Sequence, residues 1–353
     1  VGLCVVPSIG MLVGMLGVIK AGAAYVPIDA NTPETRAQSI IDQCGITVAI
    51  QQVNISATWI EYVEIIIILS IAGYVDNDDI CAEASFPELN VQGLACYVIC
   101  TSGTTGEAKA VLVEHGSIRA MIIAAASSDA LGFSSDDIVL QSFQYVFDGF
   151  VGTQWYTLAA GASLALFDKH ALLEDGASLI KTHKVTVLSA TASQLAMLDP
   201  STFPTVRMAS QAGERLPAEL MQQWSSAMPF YNLYGPTEVS VCATTMKTTA
   251  DMRSVGSIGL PLRNLRAFIV GKMNECLAQG IAGELALAGC QVTRGYLKKS
   301  STSANAFVAT LSHNGFKFAR QYRTGDLCRW LPDGTLEFLG RIDQQIKLRG
   351  FRI

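Results

Sequence analysis

Hydrophobic positions fall in short blocks separated by longer amphipathic stretches. Val1 to Ile19 is nearly all apolar, but Pro7, Ser8 and the glycines at 10, 14 and 17 interrupt it. Lys20 and Asp29 follow soon after. That pattern predicts a buried strand over Gly2–Val6 and a buried helix over Ile9–Lys20 rather than a membrane span, which needs about 20 uninterrupted apolar residues. Ile65–Leu69 is too short to cross a bilayer and is expected as a buried strand. Further strands are expected at Val48–Gln51, Ala95–Cys100, Ser163–Phe167, Val185–Ser189 and Val206–Gln211. Helical patterns cover Thr35–Cys44, Gly116–Ser127, Ala177–His183 and Pro217–Ala227. Strands alternating with helices argue for an α/β architecture with largely parallel sheets. After about Leu262 the texture changes to short strands (Ala267–Val270, Gly283–Ala288, Cys328–Leu331, Thr335–Phe338). Turns at Lys272-Met273-Asn274 and Pro332-Asp333-Gly334 separate them. This predicts a small β-rich subdomain behind two α/β subdomains, about 1–165 and 166–262.

Composition narrows the function classes. The 353 residues are 50% hydrophobic and only 16% charged, so the chain can bury enough surface to offset its ordering entropy. Net charge is −5, with no cationic cluster, which excludes a sequence-blind nucleic-acid binder. The nine Cys lack CxxC or Cys/His metal spacing. They are expected as free thiols in a reducing cytoplasm. No signal peptide is visible. With no initiator Met and an abrupt stop at Gly350-Phe351-Arg352-Ile353, the chain is expected to be an excerpt of something longer.

The strongest local signal is Thr101-Ser102-Gly103-Thr104-Thr105-Gly106-Glu107-Ala108-Lys109, which follows the apolar run Leu94–Cys100. Glycine lets successive backbone N–H groups turn towards one point, hydroxyls add donors, and Lys109 adds a cation. Such a loop can hold a polyphosphate. It is not a Walker loop, because the GxxxxGK[ST] order is absent. On these residues alone, a Ser/Thr/Gly surface loop is an equal reading.

Further segments break the tie. Lys20-Ala21-Gly22-Ala23-Ala24-Tyr25-Val26-Pro27-Ile28-Asp29 precedes the loop, and Phe147-Asp148 follows it. Then come Asn232-Leu233-Tyr234-Gly235-Pro236-Thr237-Glu238, Gly283-Glu284-Leu285 with Arg294-Gly295-Tyr296-Leu297, and Tyr322-Arg323-Thr324-Gly325-Asp326-Leu327. Gly340-Arg341-Ile342-Asp343-Gln344-Gln345-Ile346-Lys347-Leu348-Arg349-Gly350 closes the series. In this order the segments resemble the motifs of the adenylate-forming superfamily, and within it the amino-acid-activating adenylation domains of nonribosomal peptide synthetases. The resemblance covers nearly the whole chain. It departs at Ala108 and Ala110, where the family usually carries Pro and Gly around its lysine.

The resemblance implies an N-terminal adenylation core over 1–343, whose β-rich part is 263–340. Residues 344–353 would begin the hinge and a C-terminal subdomain that is absent with its catalytic lysine, so an isolated core would adenylate weakly. The implied reaction is carboxylate plus ATP giving acyl-adenylate and pyrophosphate, followed by transfer to a thiol. Thr101, Ser102, Gly103, Thr104, Thr105, Gly106 and Lys109 would hold the β- and γ-phosphates. Glu238 would bind Mg²⁺, a hard cation suited to carboxylate oxygen. Thr237 would donate to the α-phosphate. Asp326 and Arg341 would contact the ribose, while Gly213, Glu214, Asn232 and Tyr234 would line the base pocket. Asp343 would be the hinge on which one site alternates between two half-reactions.

Asp148 matches the residue that pairs with a substrate α-ammonium group, which implies an α-amino acid. Gly149, Gly152, Ser189, Ser210, Ala212, Leu233, Val241 and Cys242 would line the side-chain pocket. Their small volumes predict a deep cavity and hence a bulky or modified amino acid, such as a siderophore hydroxyornithine or an aromatic residue. The implied partners are a phosphopantetheine-bearing peptidyl carrier domain and a condensation domain of the same synthetase, with neither nucleic acid nor membrane. An acyl- or aryl-CoA ligase of the same superfamily and a non-catalytic binding or scaffold module remain as alternatives.

Overall fold

A computed structural model describes residues 1–70, 91–102, 108–127, 131–252, 256–298, 306–308, 312–313, 316–317, 320–343, 347–348 and 351–352. The first helix, Ile9–Lys20, forms as the pattern predicts. Ser8 at its N-cap accepts a hydrogen bond from the Met11 N–H at 3.2 Å, and Met11, Met15 and Val18 are buried. Helix Glu34–Cys44 ends where Gly45 adopts φ +61, and the Gly45 N–H donates to the Ile41 carbonyl. Among the described residues no helix is long and apolar enough to cross a membrane.

The N-terminal strands form a parallel four-stranded sheet in the order Val26–Pro27, Gly2–Cys4, Val48–Gln52, Ile65–Leu69. The expectation that Ile65–Leu69 is buried is corrected. Among the described residues it lies at the sheet edge, and Ile65 to Ile68 are 42–59% exposed. A run of isoleucines favours a strand through its β-branched side chains. Which neighbours cover those side chains is a tertiary matter.

Among the described residues the largest sheet has 12 strands. Its parallel half runs Ser163–Leu166, Ile138–Gln141, Val187–Ala190, Met208–Ala212, Phe230–Tyr234. It continues antiparallel through Thr244–Thr248, Ser257–Pro261, Leu336–Arg341, Gln321–Trp330, Gly283–Gly289 and Leu265–Val270. Strands on both sides of residue 165, and on both sides of 262, thus share one sheet. Helix Lys169–Thr182 starts earlier than the expected Ala177, because Asp168 caps it by accepting from the Ala171 N–H at 2.9 Å. Its backbone leaves helical geometry at Asp175, where Glu-Asp-Gly reads as a turn.

A smaller antiparallel sheet carries the hydroxyl-rich segment. Strands Ala95–Ser102 and Ala108–Glu114 form a hairpin with Thr101 opposite Lys109, and Gly295–Tyr296 pairs with the second strand. Open parallel sheets bind ligands outside the carboxyl ends of their strands. Here those ends are followed by Ser142–Asp148, Thr191, Gly213–Glu214 and Gly235–Glu238.

Candidate active site

A cleft of ≈ 2040 Å³ opens there. It is lined by Thr101, Asp148, Ser189, Gly213, Glu214, Asn232, Leu233, Tyr234, Thr237, Asp326, Arg341 and Asp343. Residues more than 240 positions apart in the chain thus face one space. Gly103, Thr104, Thr105 and Gly106 lie outside the described residues, as does the Ser102 side chain. Lys109 belongs to a strand rather than to the loop. Ala108 and Ala110 are strand residues too, 7% and 0% exposed, and Ala110 packs in the core with Ile28 and Trp59. A proline there could not donate to the ladder, so alanine suits the position.

Lys109 is held next to Glu238 through Tyr296, a residue to which no motif assigned a role. Tyr296 pairs with Val111, and its neighbour Arg294 forms an ion pair with the buried Glu114 at 3.1 Å. This seats the Tyr296 ring beneath the Lys109 ammonium, 5.5 Å from Nζ to the ring centroid. The Tyr296 hydroxyl donates to Glu238 Oε1 at 2.7 Å. Glu238 itself is 0% exposed, in the short 3₁₀ turn Thr237–Val239 that follows Pro236. The signal was available, since Tyr296 lies in the quoted Arg-Gly-Tyr-Leu segment.

On the cleft wall, both Asp326 oxygens have protein partners. Arg341 Nη1 donates to Oδ1 at 2.7 Å, and the Tyr234 hydroxyl donates to Oδ2. Arg341 also forks onto both oxygens of Asp343, at 2.9 and 2.6 Å. Burial works against the Arg341 charge, but the bonds to Asp343 and the Asp326 charge hold its pKa above the ordinary value. Burial and then the Asp326 charge push the Tyr234 phenol well up, so it stays a donor. Both ends of the Asn232 amide are taken: the Gln211 amide donates to Oδ1, and Nδ2 donates to the Ser257 carbonyl at 2.8 Å. Asn232 therefore ties three strands together at the cleft wall. Glu214 Oε2 accepts from the Ser193 N–H at 2.7 Å.

Asp148 opens helix Asp148–Ala159 and is 3% exposed. The positive helix end favours its charge. It adjoins a second, small space of ≈ 30 Å³ that shares part of its wall with the cleft and includes Gly149, Ser189, Ala212, Leu233, Val241 and Cys242. Gly152 and Ser210 are not on that wall. Ser210 lies behind it and donates to Ser189 Oγ at 3.0 Å. The expectation of a deep cavity is corrected. A Cβ on Gly149 would meet Phe147 at 2.7 Å and Phe143 at 3.1 Å. A Cβ on Gly152 would meet Val241 at 2.6 Å and Tyr156 at 3.3 Å. The Phe143, Phe147, Val241 and Tyr156 side chains occupy the volume that these two glycines leave. The Cys242 thiol is pushed up to about 12 by burial and by the Asp148 charge, so it is not a nucleophile near neutrality.

The profile of the AMP-binding enzyme family matches residues 1–297, and the chain belongs to that family. Its fold is that of the N-terminal core of a nonribosomal peptide synthetase adenylation domain. The chain is 34% identical over 365 residues to tyrocidine synthase 3 of Brevibacillus parabrevis, covering 97% of this chain and 5% of that protein. It is 33% identical over 361 residues to tyrocidine synthase 1 of the same organism, covering 100% of this chain and 32% of the relative. The chain thus spans a third or less of these curated relatives. An artificially fused adenylation–PCP di-domain from Klebsiella oxytoca, NpsA-ThdA, superposes with TM-score 0.83 at 24% identity, over 100% of this chain and 64% of that one. The K. oxytoca NpsA N-terminal subdomain in complex with 3-hydroxyanthranilyl-AMSN gives 0.79 at 24% identity, over 96% and 86%.

Proposed function

We propose that this chain activates an α-amino acid as its aminoacyl-adenylate and is the adenylating part of a nonribosomal peptide synthetase. The observation that carries the reading is the buried carboxylate of Asp148, at a helix N-terminus, on the wall of both the cleft and the small space beside it. A carboxylate on the wall of both spaces attracts a substrate ammonium group, and a fatty or aryl acid carries no such cation.

Binding follows from two groups of residues at the cleft. The ribose and base of ATP lie against Asp326, Arg341, Tyr234, Gly213 and Glu214, with Asn232 holding the wall. The phosphates run towards Thr101, Ser102, Gly103, Thr104, Thr105, Gly106 and Lys109. The amino-acid carboxylate, held by Asp148 through its ammonium group, attacks the α-phosphorus, and pyrophosphate leaves. Thr237 donates to the α-phosphate oxygen, where charge builds. Lys109 offsets the charge of the departing pyrophosphate.

Mg²⁺ fits the donor set at Glu238. Glu238 offers one carboxylate, held by the Tyr296 hydroxyl, and Mg²⁺ prefers one or two carboxylates plus substrate phosphates and water. When bound, it would neutralise charge that builds on the phosphate groups. Tyr296 holds Glu238 from the side at which Lys109 sits.

A phosphopantetheine thiol on a peptidyl carrier domain is the acceptor that the adenylate requires, and a condensation domain would use the loaded thioester, both in the cytoplasm. Asp343, bonded to Arg341 at the cleft edge, is the position about which a following subdomain would turn between half-reactions. The filled side-chain space does not favour the bulky or hydroxamate side chain. Mg²⁺-dependent ATP–pyrophosphate exchange with a panel of amino acids, measured on the complete protein that carries this chain, tests the proposal. Exchange with an amino acid, lost in Asp148→Ala, is the expected result. Exchange driven only by fatty or aryl acids would overturn it.

A further inference from the structure

We infer that Glu284 is a positioning residue for nucleotide binding: its carboxylate holds an arch at residues 324–326, and through that arch it fixes where Asp326 meets the ribose hydroxyls. The inference rests on the adenylating reading above and adds to it a residue outside the cleft wall.

The register of two strands makes the arch. Gly283–Gly289 and Gln321–Trp330 pair antiparallel, but not residue for residue. Ala286 stands opposite Arg323, and Glu284 stands opposite Leu327. Residues 324, 325 and 326 therefore face Leu285 alone, and their strand carries two residues more than its partner there. A bulge of this kind takes backbone groups out of the ladder and re-aims the side chains it carries. Thr324 and Asp326 line the cleft.

Side chains take over the bonds that the ladder gives up. The Thr324 hydroxyl donates to the Leu285 carbonyl at 2.8 Å and accepts from the Asp326 N–H at 3.0 Å. The Gly325 N–H donates to Glu284 Oε1 at 2.9 Å. Arg323 Nε donates to Glu284 Oε2 at 2.7 Å, and its Nη2 pairs with the same oxygen, so Oε1 serves the arch. On its other side the Gly325 carbonyl accepts from the Ile342 N–H at 2.9 Å.

Gly325 takes φ +70, and a Cβ on it would stand 2.8 Å from Arg341 Nη2. Its bareness lets Arg341 reach over the arch, where Nη1 donates to the Thr324 carbonyl and to Asp326 Oδ1, both at 2.7 Å. Arg341 thus takes two acceptors from the arch. Glu284 is the anchor that stands off the cleft wall. Without its carboxylate the part-buried Gly325 N–H loses its acceptor, and glycine is the residue freest to leave its conformation in search of another. The arch then shifts, and Asp326 with it. Hydrogen bonds weaken steeply with angle and distance, so a displaced carboxylate loses the ribose hydroxyls while base and triphosphate keep their contacts.

Pyrophosphate exchange on the complete protein that carries this chain, run with ATP and with 2′,3′-dideoxyATP, tests this, because the analogue lacks both hydroxyls that Asp326 would bind. The unaltered protein should show a KM at least about 10-fold lower for ATP than for the analogue. Glu284→Ala should raise the KM for ATP about 10-fold and hardly move the KM for the analogue or for the amino acid, so that the ratio of the two nucleotides approaches one. Arg323→Met removes the ion pair but leaves the Gly325 bond, and should keep most of the ratio even where stability falls. Glu284→Gln keeps the side-chain volume and carries the test if Glu284→Ala does not fold. Its single amide oxygen cannot serve both Gly325 and Arg323, and the ratio should fall about threefold. An unchanged ratio in folded Glu284→Ala or Glu284→Gln would overturn the inference. So would an equal loss in Arg323→Met, which would mark general destabilisation. If the unaltered protein used both nucleotides alike, the ribose role of Asp326 would fall and the inference with it. If no amino acid supported exchange with ATP, the adenylating proposal itself would fall.

Discussion

Tyr296 donates its phenolic hydrogen to Oε1 of Glu238 across 58 positions of chain, at 2.7 Å, while its ring lies under the ammonium of Lys109. One aromatic side chain therefore sets the spacing between the cation and the buried anion of the proposed phosphate site. A hydrogen bond to a charged group contributes about 1.5–3 kcal/mol. Removing it takes from the buried Glu238 carboxylate a donor that helps fix its orientation.

Tyr296→Phe keeps the ring, and with it the packing on Phe307 at 5.3 Å. We expect the Mg²⁺ concentration for half-maximal pyrophosphate exchange to rise about 10-fold, and the fold to lose about 1.5–3 kcal/mol in urea titration. Mn²⁺ binding, followed by the loss of free-ion paramagnetic resonance in the presence of ATP, should weaken in parallel. Unaltered metal dependence in both measurements would remove Tyr296 from the site.

Asp326→Asn tests the proposed ribose site. The substitution takes a negative charge from between Arg341 and the Tyr234 hydroxyl, both of which donate to it. An amide can accept at one atom only, so one of the two donors loses its acceptor. The KM for ATP should rise about 10- to 100-fold, and the fold should lose about 1–3 kcal/mol in urea titration. The KM for the amino acid should hardly move, because Asp148 lies elsewhere on the wall. A matching rise in both KM values would argue against a ribose role.

Much of this was legible in the chain itself. The helix Ile9–Lys20 has the bounds that its pattern predicted, because Ser8 caps one end and the periodic apolar run stops at Lys20. Turn chemistry at Pro332-Asp333-Gly334 marked the hairpin into Leu336–Arg341, and the Asp333 carboxylate accepts from the Thr335 N–H at 2.9 Å. Local signals of this kind survive folding. The exposure of Ile65–Leu69 was not legible, because an edge strand and a central one share β-branched composition. Nor was the filling of the substrate space. Reading Gly149 and Gly152 one at a time counts the volume they vacate and misses the Phe143, Phe147 and Tyr156 rings that occupy it. Tyr296 escaped notice because its partners, Lys109 and Glu238, are brought to it only by the pairing of Gly295–Tyr296 with Ala108–Glu114.

Buried thiols make the fold sensitive to alkali. Burial pushes Cys96 up to about 12, and burial with the Asp148 charge does the same to Cys242, from an ordinary value of 9.0. A raised thiol pKa means the unfolded chain releases its proton first as pH rises. Their contribution is therefore constant below pH 9 and is lost between about 9 and 12. Each thiol should remove about 1.4 kcal/mol per pH unit within that window. Urea midpoints taken at pH 8, 9.5 and 10.5 should fall progressively, and Cys242→Ala should flatten part of the decline. In the native state at pH 8, iodoacetamide should label the exposed Cys276 and Cys290 before Cys96 or Cys242. Equal labelling rates would contradict the burial on which the pH window depends.

The glycine inside Tyr-Gly-Pro-Thr-Glu has a steric reason that a substitution can expose. The chain doubles back after Glu238: Ser240 and Val241 take φ +56 and +74, and the Ala243 N–H returns to the Tyr234 carbonyl at 2.8 Å. This lays the backbone of residues 241–242 directly on Gly235. A Cβ there would stand 2.8 Å from the Cys242 Cα and would overlap the Val241 carbonyl. Both obstacles are backbone, so no rotamer change relieves them. Left-handed φ at a β-branched residue is already strained, by about 1–3 kcal/mol, and leaves little slack for a shift. Gly235→Ala should therefore cost about 1–3 kcal/mol in denaturant titration. Because Val241 and Cys242 wall the substrate space while Thr237 and Glu238 follow in the same turn, the KM values for amino acid and for ATP should rise together. That joint rise separates this substitution from Asp326→Asn, and wild-type stability with unchanged KM values would show that the return segment does not press on Gly235.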